Sequence, residues 1–126
     1  MSKAEKKVLL VEDDLQISKV YEIQLKKEGI LAVLAHDGEE AMELFVKEKP
    51  DLIVLDLMLP KMDGFGVLED VRKNHENTNI PIIVISNLGQ KDDKIKAISL
   101  GATEYMIKVD HSIKEIVDKI KEHLDN

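Results

Sequence analysis

Four short apolar segments of this 126-residue chain end beside residue types that can do phosphate or metal chemistry. Glu12 and Asp13 follow the first segment, Asp56 and Ser86 close two later ones, and Lys108 follows the last. Two carboxylates about 6 Å apart repel by roughly 2–3 kcal/mol at an effective dielectric of about 20, and a third adds to this. A hard divalent cation such as Mg²⁺ relieves the repulsion, because it prefers oxygen ligands. Brought together, these residues predict a Mg²⁺ site that contains a reactive carboxylate.

The same residues are suited to accepting a phosphoryl group. A bound Mg²⁺ neutralises the incoming phosphoryl oxygens and leaves one carboxylate able to attack phosphorus. Aspartate and glutamate side chains form such acyl phosphates in proteins. Taken one at a time, each residue is an ordinary polar strand end, as is usual for loops at the rim of a sheet. Four strand ends that carry complementary groups favour the functional interpretation.

Strands and helices alternate along the chain. Continuous apolar runs typical of strands buried on both faces cover residues 8–11, 31–34, 52–55, 82–85 and 105–107. Between and after them, apolar residues recur with helical spacing, and in the first predicted helix the apolar stripe consists of Ile17, Val20, Tyr21 and Leu25. The predicted helix caps are Asp14, Asp37 and Ser112, and two glycines, Gly29 and Gly101, are predicted to end helices.

This alternation of strand and helix, repeated five times, predicts an α/β fold with a parallel sheet and helices on both faces. Right-handed crossovers restrict the topology to a few arrangements. The simplest is a doubly wound, flavodoxin-like sheet in the order 2-1-3-4-5, whose ligand crevice lies at the carboxyl ends of strands 1 and 3. We expect one domain over residues 1–126, since a chain of this length has room for a single core.

Composition excludes several classes of function. Lys and Arg total 18 against 25 Asp and Glu, and the net charge of −7 argues against direct binding to nucleic acid or to a membrane surface. The chain has no cysteine, which excludes disulfides, thiolate zinc sites and thiol catalysis. No apolar run is long enough to cross a bilayer, and no signal segment opens the sequence. We therefore expect a cytoplasmic protein.

One segment resembles a known family closely. Residues 56–64, Asp-Leu-Met-Leu-Pro-Lys-Met-Asp-Gly, are similar to the segment that follows the phosphoacceptor aspartate in receiver domains of two-component response regulators. The acidic pair after the first strand, the hydroxyl residue after the fourth, and Gly101-Ala102 leading to Tyr105 and Lys108 resemble the same family. The resemblance covers essentially the whole chain. It implies a stand-alone receiver similar to chemotaxis regulators, because no output domain follows the last helix in this sequence.

The resemblance implies a role for each residue of the predicted metal site. Asp56 would be the phosphoacceptor and would also ligate Mg²⁺. Asp13 would bind the ion directly and Glu12 through water, while the backbone carbonyl of Met58 would complete the protein ligands. The phosphoryl donor would be a sensor histidine kinase or a histidine phosphotransfer protein.

The resemblance also implies a switch. Ser86 would hydrogen-bond the phosphoryl group, Lys108 would pair with its oxygens, and Tyr105 would turn inward as Ser86 moves. The alternative for Tyr105 is an edge aromatic with its hydroxyl in water. An output protein, not identified by the sequence, would bind a surface formed by the fourth helix, fifth strand and fifth helix. A phosphorylation-dependent homodimer is left open.

This sequence departs from the family pattern after Lys108, where Val109 replaces a proline that usually follows a cis peptide. A cis bond before a non-proline costs about 2.5–4 kcal/mol, so we predict a trans bond and a reshaped loop. A second departure is Asn87, where the family favours a small residue; its bulk would either shield the acyl phosphate or narrow the entrance. Gly64 is expected at a turn that needs positive φ, and Asp63 is expected to cap a helix or turn.

Other functions were weighed against this one. A Mg²⁺-dependent phosphohydrolase acting through an aspartyl-phosphate usually carries an acid/base aspartate two residues beyond the nucleophile, and Met58 stands there. A flavin electron carrier of the same fold would need a phosphate-binding loop after the first strand, where this chain has carboxylates. The four histidines lack metal-ligand spacing and are expected at the surface: His36, His75, His111 and His123.

Overall fold

The computed structural model describes residues 5–59, 63–74, 79–87 and 91–125, with the backbone alone at Asn74. Within these ranges, five strands and five α-helices alternate. The strands are β1 (Lys6–Val11), β2 (Ile30–Ala35), β3 (Leu52–Asp56), β4 (Ile82–Ser86) and β5 (Glu104–Ile107). The helices are α1 (Leu15–Lys27), α2 (Gly38–Glu48), α3 (Gly64–Asn74), α4 (Lys91–Ser99) and α5 (Ile113–Leu124), and a short 3₁₀ turn covers Lys108–Asp110.

The five strands form one parallel sheet in the order β2-β1-β3-β4-β5, as predicted. The register places Val11 beside Leu55 and Ser86 beside Ile107. Because Asp56 of β3 also lies beside Ile85 of β4, the carboxyl ends of β1, β3, β4 and β5 lie side by side. The connections after these strands meet at one edge of the sheet.

Each face of the sheet is covered by helices, which explains the continuous apolar runs. Val8 and Leu10 of β1 pack on one side with residues of α1 and α5, while Leu9 and Val11 pack on the other with α2, α3 and α4. Successive side chains of a strand point to opposite faces, so a strand covered on both sides needs apolar residues throughout. The central strands β3 and β4 are buried along their full length.

The predicted capping residues begin three of the helices, α1, α2 and α5. Asp14 accepts hydrogen bonds from the backbone N–H groups of Gln16 and Ile17 at 2.9 and 3.1 Å and so starts α1 directly after the acidic pair. Asp37 caps α2, and Ser112 forms a capping box with Glu115 at the start of α5. Within the described ranges, no helix has both the length and the apolar character needed to span a lipid bilayer.

The prediction that Gly64 needs positive φ is wrong. Among the glycines in the described part of the chain, positive φ occurs at Gly29 (77°) and Gly101 (112°). Gly64 is instead required by close packing, since a Cβ there would lie 2.4 Å from the Cα of Leu57 and 2.6 Å from the carbonyl oxygen of Asp56. Its N–H also donates to the carbonyl of Leu57 at 3.1 Å. The start of α3 is therefore held against the backbone that carries Asp56.

We expect Gly64→Ala to destabilise the fold by about 2 kcal/mol, because the new methyl group meets backbone that cannot move without displacing Asp56. Chemical denaturation measures the effect. The matched control is Gly29→Ala, where a Cβ meets nothing within 4 Å and the expected cost is only the conformational strain of about 1 kcal/mol. Equal losses in the two variants would contradict the close-packing explanation.

Candidate functional site

The structure brings the predicted site residues together at the carboxyl edge of the sheet. Glu12 and Asp13 follow β1, Asp56 and Ser86 are the last residues of β3 and β4, and Lys108 follows β5. Glu12, Asp56 and Ser86 are almost completely buried, with 1%, 5% and 0% of their surface exposed. Asp13 is exposed. The site is therefore a pocket with buried walls and one acidic residue at its mouth.

Three carboxylates converge in this pocket. One oxygen from each of Glu12, Asp13 and Asp56 lies within 4.8 Å of the others. Three oxygen donors at this spacing fit a hard divalent cation, which binds carboxylates and retains water ligands. The acidic group can hold a metal ion at the position expected from the sequence.

Lys108 joins two of these carboxylates. Its Nζ lies 2.5 Å from Oε1 of Glu12 and 2.8 Å from Oδ2 of Asp56. Burial lowers the pKa of Lys108, but the hydrogen bonds to Asp56 and Glu12 outweigh it, and the net pKa lies above its usual value. Lys108 thus balances part of the negative charge that a divalent cation would otherwise neutralise.

Backbone donors fix the orientation of the two buried carboxylates. The N–H of Asp14 donates to Oε2 of Glu12 at 3.1 Å, and the N–H of Met58 donates to Oδ1 of Asp56 at 3.0 Å. The N–H of Glu12 itself donates to the carbonyl of Ala35 at 3.0 Å. Each carboxylate therefore has one oxygen held by the backbone and one held by Lys108. Met58 lies two residues beyond Asp56, with its side chain exposed.

Burial raises the pKa of Glu12 above its usual value, and the bonds from Lys108 and from the Asp14 N–H offset only part of this shift. Because the folded pKa exceeds the unfolded value of about 4.3, the contribution of Glu12 to the free energy of unfolding falls as pH rises through both values. We expect the free energy of unfolding of the wild type, relative to Glu12→Gln, to decline as pH rises from about 4 through the raised pKa of Glu12. Urea unfolding of both proteins without divalent cations measures it. A difference that grows with pH would refute the expectation.

Ser86 and Tyr105 are in contact. Tyr105 lies on β5, is half-buried, and shares a side-chain hydrogen bond with Ser86. Burial raises the pKa of the Tyr105 hydroxyl, and the bond to Ser86 lowers it in part. The two residues that are predicted to form a switch are therefore joined by a direct hydrogen bond.

The loop after β5 has the predicted trans geometry. The described residues contain no cis peptide bond, so Lys108 and Val109 are joined by a trans bond. The chain continues in the 3₁₀ turn Lys108–Asp110, and Val109 is 79% exposed. Asn87, which is also exposed, lines a groove of about 260 Å³ with Lys108 and Val109. The effect of Asn87 on the acyl phosphate stays a prediction.

Other predicted residues lie outside the pocket. Asp63 caps α3, accepting a hydrogen bond from the Gly66 N–H at 2.9 Å. His36, His111 and His123 pair with glutamates away from the acidic cluster. Two parts of the prediction lie outside the described residues: residues 60–62 of the family-like segment, and His75.

Sequence reasoning assigned Tyr21 only to the apolar side of the first helix. The structure buries it to 2% exposure in the same groove as Lys108. Burial raises its pKa strongly, and the charges of Glu12 and Asp56 raise it further, so the ring lies within electrostatic reach of the site. Ser18 and Leu25 lie on the same buried face of α1 as Tyr21. Helical spacing in the sequence could therefore predict that Tyr21 is buried, but not that it lies near the acidic site.

The fold and the rim together define a class of protein: flavodoxin-like α/β domains that carry an acidic pocket with a lysine at the carboxyl edge of the sheet. The sequence profile of the response regulator receiver domain matches residues 8–121. This chain belongs to the response regulator receiver domain family. It is thus a phosphoacceptor domain of two-component signalling, and the family match does not favour a phosphohydrolase.

Curated relatives support the assignment. The "probable transcriptional regulator ycf27" of Guillardia theta is 43% identical over 115 residues, which are 91% of this chain and 44% of the relative. The protein of the same name in Cyanophora paradoxa is 42% identical over 116 residues, which are 92% of this chain and 47% of the relative. This chain therefore spans less than half the length of either relative.

Solved structures share the fold. A Francisella response regulator 1452 receiver domain matches with a TM-score of 0.87 and 32% identity, covering 96% of this chain and 98% of that one. The BeF₃-activated N-terminal receiver domain of Klebsiella pneumoniae RstA matches with a TM-score of 0.86 and 29% identity, covering 96% and 100%. A CheY-like receiver domain protein from Methanospirillum hungatei has a TM-score of 0.89 and 26% identity, covering 97% and 95%.

Proposed function

We propose that Asp56 accepts a phosphoryl group from a phosphohistidine of a sensor histidine kinase or a histidine phosphotransfer protein. The observation that carries this assignment is the convergence of Asp56 with Glu12, Asp13 and Lys108 at the carboxyl edge of the sheet. Of the three carboxylates, Asp56 lies at the end of the central strand β3, between the two acidic neighbours and the hydroxyl of Ser86. This position would give an attacking group acidic metal ligands on one side and a hydroxyl that can bind the phosphoryl group on the other.

The transfer is a displacement at phosphorus. A carboxylate oxygen of Asp56 attacks as the P–N bond of the donor breaks, and the leaving imidazole nitrogen keeps the electron pair and takes up a proton. Lys108, now bonded to Glu12 and Asp56, pairs with the oxygens of the bound phosphoryl group. The domain contributes to its own phosphorylation and dephosphorylation in this way, without turning over an external substrate.

We propose Mg²⁺ as the ion of the acidic pocket. Asp13 and Asp56 would ligate it directly, Glu12 through water, and Met58 by its backbone carbonyl. When bound, Mg²⁺ neutralises the charge of the transferred phosphoryl oxygens. The donor set of carboxylate oxygens, without histidine or thiolate, is the chemistry that Mg²⁺ prefers.

Phosphorylation would change a partner-binding surface. The phosphoryl group, whose charge of about −1.5 to −2 replaces the −1 of the Asp56 carboxylate, would attract Ser86 and Lys108, and Tyr105 would follow through its bond to Ser86. The surface concerned is formed by α4, β5 and α5, where Ile95 and Ile98 of α4 are exposed. An output partner, or a second phosphorylated copy of the chain, would bind there.

We propose that residues 1–126 act as one receiver unit in the cytoplasm, where the phosphohistidine donors of this family act. Because curated relatives of about twice this length are named probable transcriptional regulators, control of transcription is the output that we propose this receiver regulates. The acidic receiver itself would not contact DNA.

The test is Mg²⁺-dependent labelling. Incubation with a small phosphodonor such as acetyl phosphate is expected to add one phosphoryl group per chain when Mg²⁺ is present and none when EDTA is added; intact-mass spectrometry measures it. Crystals soaked with Mg²⁺ and beryllofluoride are expected to show the mimic on Asp56. An empty pocket and an unmodified chain would overturn the proposal.

A further inference from the structure

Ser18 is a buried polar residue that the phosphoacceptor chemistry does not use. Within the described ranges, four polar or charged residues are nearly fully buried: Glu12, Ser18, Asp56 and Ser86. Three of them form the pocket. The fourth, Ser18 in the second turn of α1, is only 1% exposed. A hydroxyl is costly to bury without a hydrogen bond, so its partner is informative.

The partner of Ser18 lies in the acidic loop. Its Oγ donates to the backbone carbonyl of Glu12 at 3.3 Å. A serine within a helix ordinarily bonds to a carbonyl three or four residues earlier in the same helix. Glu12 is six residues earlier and precedes the helix, so this bond ties α1 back to the end of β1 rather than satisfying the helix itself.

The bond completes a set of restraints on Glu12. The N–H of Glu12 donates to Ala35 on β2, its side chain accepts from the Asp14 N–H, and its carbonyl accepts from Ser18. The N–H of Ser18 in turn donates to the carbonyl of Asp14 at 3.0 Å. The peptide group before Asp13 is therefore held from α1 through the Glu12 carbonyl, and the peptide group after it is held through the Asp14 N–H by the Glu12 side chain. The Asp13 side chain itself is exposed.

We infer that Ser18 is a positioning residue for divalent-cation binding, which it serves by fixing the backbone that presents Glu12 and Asp13. This inference rests on the proposed metal site. Three carboxylates within 4.8 Å repel one another, and the loop that carries two of them relaxes outward unless it is restrained. Without the hydroxyl, the loop must be ordered when the cation binds, and that cost weakens binding.

The test compares Mg²⁺ affinity in the wild type, Ser18→Ala and Ser18→Thr by isothermal titration calorimetry. Loss of one hydrogen bond that orders a ligand loop is expected to weaken Mg²⁺ binding by about three- to tenfold in Ser18→Ala. Ser18→Thr keeps the hydroxyl and is expected to restore most of the affinity. The matched control is Ser99→Ala, because the Ser99 hydroxyl bonds to Lys96 within an exposed part of α4; its affinity is expected to equal that of the wild type.

The outcomes separate this inference from the proposed function. If the wild type does not bind Mg²⁺, the proposed metal site is wrong. If the wild type binds and Ser18→Ala binds equally well while losing stability with and without the ion, Ser18 is merely structural and the inference is overturned. Should Ser18→Ala unfold, Ser18→Cys takes its place, since it keeps the volume and offers only a weak S–H donor; wild-type affinity in that variant would equally overturn the inference.

Discussion

Asp56→Asn is expected to abolish covalent labelling by a small phosphodonor in the presence of Mg²⁺. The amide oxygen is a poor nucleophile, and an amide cannot form an acyl phosphate without losing its nitrogen. The change preserves shape, so Oδ1 can still accept the hydrogen bond from the Met58 N–H. The expected result is a complete loss of the mass increase, rather than a reduction, measured by intact-mass spectrometry after a fixed incubation.

The matched control for this experiment is Asp63→Asn. Asp63 lies in the same family-like segment, but its carboxylate caps α3 through the Gly66 N–H and is exposed. Labelling of this variant is expected to stay at the wild-type level, since asparagine is also a good cap. Undiminished labelling of Asp56→Asn would exclude Asp56 as the acceptor, and transfer of the label to Asp13 or Glu12 would identify another carboxylate of the pocket.

The strand ends were the part of the site that sequence could predict. A parallel sheet covered on both faces requires continuous apolar runs, and the residue that ends such a run must lie at the rim. Asp56 and Ser86 were therefore placed correctly from the ends of two runs. The helix caps Asp14 and Ser112 were predictable for a similar reason, because their hydrogen bonds are local in sequence.

Contacts between segments that are distant in the sequence cannot be predicted from apolar runs or from local caps. Gly64 was assigned to a turn, yet what requires glycine there is the close approach of the Asp56–Leu57 backbone. Ser18 has no local signal, because its partner is a carbonyl outside its own helix. Tyr21 was recognisable as a buried ring but not as a neighbour of the charges on Glu12 and Asp56. Each of these three features depends on distances between segments, which composition and apolar periodicity do not predict.

Lys108 offsets part of the electrostatic repulsion among the three carboxylates. Lys108 already bridges Glu12 and Asp56, so part of the negative charge is balanced without a metal ion. In the proposed function, Lys108 would also pair with a phosphoryl oxygen, and its ammonium has a third N–H donor for this bond. The same ammonium would then stabilise the unphosphorylated and the phosphorylated pocket by different sets of bonds.

Lys108→Met is expected to lower the free energy of unfolding by about 3 kcal/mol without divalent cations, because it leaves two buried carboxylates unpaired. Methionine approximates the shape of the lysine side chain but removes the positive charge and the N–H donors to Glu12 and Asp56. Mg²⁺ is expected to raise the stability of the variant more than that of the wild type, since the ion replaces the missing positive charge. Urea unfolding with EDTA and with Mg²⁺ measures both effects.

The pH dependence of the Lys108→Met effect follows from the pKa shifts. In the wild type, the raised pKa of Lys108 means that its contribution to stability is complete below about pH 10.4 and is lost as pH rises through the folded value. In the variant, Glu12 loses the bond from Lys108 that lowers its pKa, so the destabilisation is expected to shrink as pH falls and Glu12 binds a proton. The control is Lys114→Met, whose exposed pair with Asp118 is worth less than about 1 kcal/mol. If Lys108→Met were no less stable than this control near neutral pH, the lysine would not be compensating the buried charge.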